Sequence, residues 1–504
     1  MNPHCRRLYF KRRRSRYRGQ SLGERMAGTV EEATQLLRDH LRLASLQNDG
    51  AQQWPWVLAP SPLGGRGIVA SREILAGEVV FQDVPLVLGP RAGVHCPPLC
   101  VGCHQGPETL KPCSKGCGLP VCSTQCEEAD NHLFECQKLR SWGVRTNGSW
   151  SPELLRASVP VRCLALSPIK RQVLQCLQRN SGSQHAFEVD LLKRNTETGP
   201  SAQEEDFMRL ACYVMDATAF ETAQIPKEMI SKKPVVSTEE ERPLNGLTPS
   251  LRGLYPIAAM MNHACVPNTR HGYDERQKMT VRATVVIPAG AEITNTYTSL
   301  LWGSPARRRH LGITKHFLCT CPRCSDPQER GSRLAALKCL TKTCKGSMFP
   351  LQPLEAGSEW QCELCGRQMT GRQASLTQAT LGRLLSVVDG RNAAQMERFL
   401  SEHHHVMPST NQILVEVKCN LIRCYGHTKG YSWTDVTLQQ LELKERLCRE
   451  VLQLLEKLGA GQCRMRGLLL YELHCTLMEL RQRRLENLGS KSSCAGAPQD
   501  LGDR

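Results

Sequence analysis

Cysteine and histidine spacing constrains this chain more than any other feature. Cys100-x2-Cys103, Cys113-x3-Cys117, Cys122-x3-Cys126 and His132-x3-Cys136 place eight candidate ligands within 37 residues. So short a segment with so few large apolar side chains cannot build its own core, and bound metal supplies the missing folding energy. Two tetrahedral zinc ions take eight ligands. Cys265 has no local cysteine partner, but Cys319-x-Cys321-x2-Cys324 follows 54 residues later and lacks a fourth thiolate. One zinc ion joins them. Cys339-x4-Cys344 and Cys362-x2-Cys365 have the form of two knuckles of a zinc ribbon. The chain carries 26 cysteines in 504 residues. Their clustering in close pairs, with no secretory signal, favours zinc and a reducing compartment over a disulfide framework. Cys96 is left over.

Length permits two to four domains and a sizeable core. No run of eighteen apolar residues is present, so no membrane span is expected and the chain reads as soluble and intracellular. The formal charge is +17, but residues 1–25 hold nine Lys or Arg against one Glu and account for +8 of it. Ligand thiolates are deprotonated, so four zinc sites would remove a further 7. A mildly basic body with a basic tail permits nucleic-acid contact without arguing for it, because the cysteine pairs lack the spacing of linked ββα fingers. The run Arg6 to Arg18 reads as a disordered tail, with a nuclear-localisation patch as the functional alternative and a mitochondrial presequence behind it. Met26 also suits a start of translation.

Residues 29–46 suit an amphipathic helix through Leu36, Leu37, Leu41 and Leu43. Gly64, Gly65 and Gly67 let backbone approach a ligand closely, or simply turn, ahead of two strand-like runs joined at Ala76-Gly77. Residues 154–177, 187–192 and 205–222 read as helical, 196–205 as a polar loop and 227–247 as a charged, mobile stretch. An apolar run ending at Met261 is followed by Asn262 and His263, two polar side chains on one tight turn. Residues 279–287 and 291–297 read as strands around the turn at Gly290, and a short helix starts near Gly303. From 376 to 488 the pattern is helical throughout, with Leu385, Phe399, Val417, Leu447, Val451 and Leu477 among the recurring positions. His403, His404 and His405 have no acidic or cysteine partner nearby and are assigned to solvent.

Three motifs now stand in order: Asn262-His263-x-Cys265-x-Pro267-Asn268, then Gly290-x-Glu292-Ile293-Thr294-x-x-Tyr297, then Cys319-x-Cys321-x2-Cys324. Together they resemble the C-terminal half of a SET domain with its post-SET zinc site, the catalytic module of protein lysine methyltransferases. The eight-ligand segment resembles a MYND finger, which implies interleaved pairs: Cys100, Cys103, Cys122 and Cys126 on one zinc, Cys113, Cys117, His132 and Cys136 on the other. The whole order is similar to the SET and MYND domain family, nearest to its SmydA branch, over residues 55–480. The implied fold is α+β and multidomain. A basic tail and helix (1–53) lead to a SET N-terminal part (54–95), the MYND finger (96–137) and a mainly helical insert (138–250). The SET C-terminal part (251–300), post-SET (301–330), a zinc-ribbon-like segment (331–370), a domain of helical hairpins (371–488) and a disordered tail (489–504) follow.

The resemblance implies transfer of a methyl group from S-adenosylmethionine to a protein lysine, with a histone as one possible substrate and transcriptional repression as one possible role. Gly65, Arg66, Gly67, Asn262, His263, Tyr297 and Phe317 would contact the cofactor, and Tyr297 would orient the amine. Cys265 would tie the cofactor loop to the post-SET segment through zinc. Implied partners are a protein carrying the target lysine and proline-rich peptides on the MYND finger; a monomer in the nucleus or cytoplasm is expected. Two positions depart from the family. Thr218 stands where an Asn often contacts the cofactor, and Lys315 where an aromatic residue commonly walls the lysine channel. They favour the alternative, a catalytically weak or inactive SET-MYND protein acting as a transcriptional co-regulator through its finger.

Overall fold

A computed structural model describes residues 29–44, 54–62, 65–90, 98–106, 110–180, 186–223 and 250–493. Gly64, Cys96, the basic run 6–18 and the charged stretch 227–247 lie outside the described residues. The structure is mixed α and β. Contacts divide it into two units, one taking the described residues of Ser21–His263 and Pro267–Asn295, the other those of Ala264–Val266 and Thr296–Arg504.

The first unit opens with α1 (Val30–Leu43), whose Thr29 and Glu32 form a reciprocal capping box and whose Ala33, Leu37 and Leu41 face inward. Leu43 is exposed, so the apolar stripe expected of this helix is narrower than its leucines suggest. Strands β1 (Trp56–Pro60), β2 (Arg66–Ala70), β3 (Val79–Asp83) and β4 (Val87–Pro90) follow. The finger adds β5 (Lys111–Pro112), β6 (Pro120–Val121), α2 (Thr124–Glu127) and α3 (Asp130–Ser141). The helical stretch expected over 154–177 is two helices, α4 (Pro152–Cys163) and α5 (Pro168–Cys176). Ser167 and Pro168 restart the chain, since proline is well placed only in a first turn. After α6 (Phe187–Arg194), α7 spans Ala202–Thr218 rather than 205–222, because Ser201 and Glu204 cap it early and Phe220–Ala223 becomes β7.

The same unit continues with β8 (Ser250–Leu254), β9 (Asn262–His263), β10 (Thr269–Tyr273), β11 (Met279–Ala283) and β12 (Glu292–Asn295). The strand expected to reach Ile287 stops at Ala283, and Ile287 instead bridges to Ile74. Three small sheets matter here: β1-β2-β12-β9, β10-β11-β3 and β4-β8-β7. A core of Leu37, Ile68, Phe81, Tyr255, Met260, Val281 and Ile293 packs beneath them. At its centre Asp83 accepts hydrogen bonds from the backbone N–H groups of Ile257 (2.8 Å) and Ala258 (3.1 Å), and lies 3.2 Å from His40 Nε2. This carboxylate fixes the 3-10 turn Ala258–Met260 that delivers β9.

The second unit contains α8 (Ser304–Thr314) and α9 (Pro322–Ser325), then a four-stranded sheet of β13 (Leu337–Lys338), β14 (Ser347–Pro350), β15 (Trp360–Cys362) and β16 (Gln368–Met369). Helices α10 (Gly371–Ser386), α11 (Ala393–His403) and α12 (Gln412–Cys424) follow. The expectation of unbroken helical pattern fails next, where β17 (His427–Thr428) and β18 (Tyr431–Ser432) make a hairpin at Gly426 and Gly430, both at positive φ. The last helices are α13 (Leu438–Leu458) and α14 (Arg464–Ser493). Helix α14 extends into the tail expected to be disordered from 489; residues 494–504 lie outside the described ones. Sheet and helices share one core, including Leu337, Met348, Trp360, Leu385, Val417 and Leu455. Leu477 is exposed, and Leu473, Thr476 and Leu480 turn inward instead.

Candidate functional site

The glycine turn, Asn262-His263 and the strand carrying Glu292 meet within the first unit. Strand β12 pairs antiparallel with β2, Glu292 opposite Val69, and parallel with β9, Thr294 opposite Asn262 and Asn295 opposite His263. The pairing sets Asn262 beside the glycine turn: its Nδ2 donates to the Arg66 carbonyl (3.1 Å) and to Glu292 Oε1 (2.7 Å). Ser61 Oγ donates to the other Glu292 oxygen at 3.2 Å. Gly65 has φ +71°, a conformation side chains rarely adopt, and a Cβ on Gly67 would press into the Glu292 carboxylate. Glycine at 67 therefore makes room for the Glu292 and Asn262 side chains against the turn. The Arg66 side chain points elsewhere, donating to the Cys176 carbonyl, and His263 is buried. Thr218, at the end of α7, donates its hydroxyl to the Val214 carbonyl (2.8 Å), a bond within its own helix.

Two residues that hold this arrangement together were not singled out from the sequence. Glu292 is one. Asn268 is the other: its Nδ2 donates to the Glu292 carbonyl (2.8 Å), while its Oδ1 accepts from the Thr294 backbone N–H (2.8 Å) and hydroxyl (3.1 Å). Both occupy fixed places in the quoted motifs, and that was the available signal.

In the second unit Tyr297 packs beside Cys265, Leu311, Cys319 and Cys324. The Lys315 ammonium lies 5.3 Å from the centre of the Tyr297 ring, a cation over an aromatic face. Burial and the Lys315 charge hold His310 below the usual imidazole range. Phe317 is 38% exposed.

All sixteen expected ligands fall into four groups, with the ligand atoms of each group within 4.8 Å of one another. The groups are Cys100, Cys103, Cys122 and Cys126; Cys113, Cys117, His132 and Cys136; Cys265, Cys319, Cys321 and Cys324; and Cys339, Cys344, Cys362 and Cys365. Four ligands about 2.3 Å from a tetrahedral zinc stand roughly 3.8 Å apart. The measured separations match: Cys265 to Cys324 is 3.5 Å, Cys265 to Cys319 3.8 Å, Cys113 to Cys136 3.8 Å and Cys344 to Cys362 3.6 Å. These sulfurs are too far apart for disulfides. His132 presents Nε2 to Cys117 at 3.9 Å, which identifies its ligating nitrogen. Beside this group, Glu127 accepts from the Ser114 hydroxyl (2.5 Å) and the Ser114 N–H (2.7 Å), and the hydroxyl bond above all holds its carboxyl below the usual carboxylate range. Arg162 grips both Glu135 oxygens (2.6 and 3.1 Å) and the Val101 carbonyl (3.1 Å), binding the finger to α4.

A SET domain family model matches residues 65–298. The SET domain-containing protein SmydA-8, isoform B, of Drosophila melanogaster is 32% identical over 458 residues, covering 89% of this chain and 96% of its own. N-lysine methyltransferase SMYD2-B of Xenopus laevis is 26% identical over 55% of this chain and 62% of its own. Histone-lysine N-methyltransferase SMYD3 of Mus musculus is 24% identical over 59% of this chain and 68% of its own. The crystal structure of the SET domain of LSMT bound to lysine and AdoHcy aligns over 92% of this chain and 97% of that chain at 15% identity. Its TM-score of 0.27 is too low to argue from.

Proposed function

Because the chain belongs to the SET and MYND domain family of protein lysine methyltransferases, we propose that it is itself an S-adenosylmethionine-dependent protein-lysine N-methyltransferase. The observation that carries this reading is the joining of β2, β9 and β12 with the Asn262 amide bonded to the Arg66 carbonyl and the Glu292 carboxylate. S-adenosylmethionine would supply a methyl group made electrophilic by its sulfonium. Asn262, His263 and the backbone of Gly65, Arg66 and Gly67 bind it. Tyr297 orients the lysine amine. The amine must arrive neutral and in line with the breaking C–S bond, so the side chains contribute position and electrostatics rather than covalent chemistry.

Four zinc ions complete the protein, two in the finger, one post-SET and one in the ribbon. The names of the N-lysine and histone-lysine methyltransferase relatives support a protein lysine as substrate class. The finger, gripped by Arg162, presents a surface for proline-rich peptides. The test is transfer of a labelled methyl group from S-adenosylmethionine to lysine-bearing proteins, histones included. Tyr297→Phe should lower the rate about a hundredfold, the usual cost of one oriented donor. No transfer by zinc-loaded wild type would refute the reading.

The Lys315 cation over Tyr297 and the internally bonded Thr218 hydroxyl favour a second reading, a SET-MYND co-regulator without catalysis. Absence of cofactor binding together with peptide binding to the finger would select it.

A further inference from the structure

Arg307, on α8, is wholly buried. Its Nε donates to Cys265 Sγ at 3.1 Å, and its Nη2 donates to Cys324 Sγ at 3.5 Å and to Ser304 Oγ at 2.8 Å. Its Nη1 donates to Glu329 Oε2 at 2.9 Å and to the Trp302 carbonyl. A second buried guanidinium, that of Arg323 on α9, donates to the Cys265 carbonyl (3.0 Å), the Trp302 carbonyl (2.9 Å) and Glu329 Oε2 (3.4 Å). Two buried cations thus face one buried carboxylate. An unbalanced buried charge is strongly disfavoured unless something of opposite sign adjoins it. Four neutral thiols supply no such charge. Four zinc-bound thiolates carry a net charge of about −2, and two of their sulfurs are the atoms that Arg307 touches.

We propose that Arg307 is a positioning residue of the post-SET metal site: it binds the sulfurs of Cys265 and Cys324 from within the protein and offsets the charge of the zinc-bound thiolates. It thereby sets how tightly this zinc ion is held. Charge-assisted N–H···S bonds draw electron density from two of the four sulfurs and fix their directions before metal arrives. Among the described residues, no guanidinium bonds to a ligand sulfur in the other three groups. The inference goes beyond methyl transfer and stands whether or not the chain catalyses it.

The test titrates a chromophoric chelator against the zinc-loaded full chain. In Arg307→Met one zinc equivalent should leave at chelator concentrations about tenfold to a hundredfold below those for wild type, the usual effect of losing a partner of a metal ligand. The remaining equivalents should follow the wild-type curve. With cobalt(II) in place of zinc, the variant-minus-wild-type spectrum should show one sulfur-to-cobalt charge-transfer band moved to longer wavelength, because two sulfurs lose a hydrogen bond. Arg307→Lys keeps the charge and loses the fork; it should fall between the two and serves if Arg307→Met does not fold. Unchanged chelator curves and cobalt spectra in a folded variant, with only a lower melting temperature, would overturn the proposal and leave Arg307 a packing residue.

Discussion

Asn262 and Glu292 show how much of the proposed cofactor site rests on one pair of side chains. The Asn262 amide spends both N–H groups on the Arg66 carbonyl and the Glu292 carboxylate, so its Oδ1 faces away from both. Glu292→Gln keeps the shape and removes the charge, weakening the bond that aims Asn262 by about 1 kcal/mol. S-adenosylmethionine affinity should fall roughly five- to tenfold by calorimetry with the melting temperature little changed; an unchanged affinity would remove Glu292 from the site. The motifs containing Asn262 and Glu292 were legible in the sequence, but the contact between the two side chains was not. The contact joins residues 30 apart through a parallel pairing of very short strands, and no local periodicity encodes that. The four cysteine and histidine groups were legible residue by residue, because a tetrahedral ion demands a fixed number of ligands at restricted spacing.

Elements follow the same division. Helices with strong local punctuation were readable, and Ser167-Pro168 shows that even the break between α4 and α5 is written in the chain. The two-residue strands β9, β17 and β18 were not, since two residues carry no alternation and exist only through their partners. The turn before β9 depends on an element far away in sequence, β3, through Asp83. Asp83→Ala would leave two buried N–H groups and the His40 imidazole unsatisfied, at a cost of about 3 kcal/mol. Denaturant unfolding should register that loss, whereas a change below about 1 kcal/mol would mean the turn holds itself.

At the scale of the whole molecule, the four ligand groups were legible, because ligand spacing survives any uncertainty about helix ends. The division into units was not. Chain assigned to one unit leaves it at His263, returns at Pro267 and leaves again at Asn295, so sequence neighbours such as Asn262 and Cys265 belong to different units. Composition alone misleads about partners as well, for nearly half of the formal +17 lies in residues 1–25. The central claim is that this chain binds S-adenosylmethionine to act on lysine, and calorimetry of that compound against zinc-loaded protein tests it most directly. Micromolar binding in wild type, kept in Tyr297→Phe and lost in Asn262→Ala, is the expected result. No heat of binding in a folded wild type that holds its zinc would contradict it.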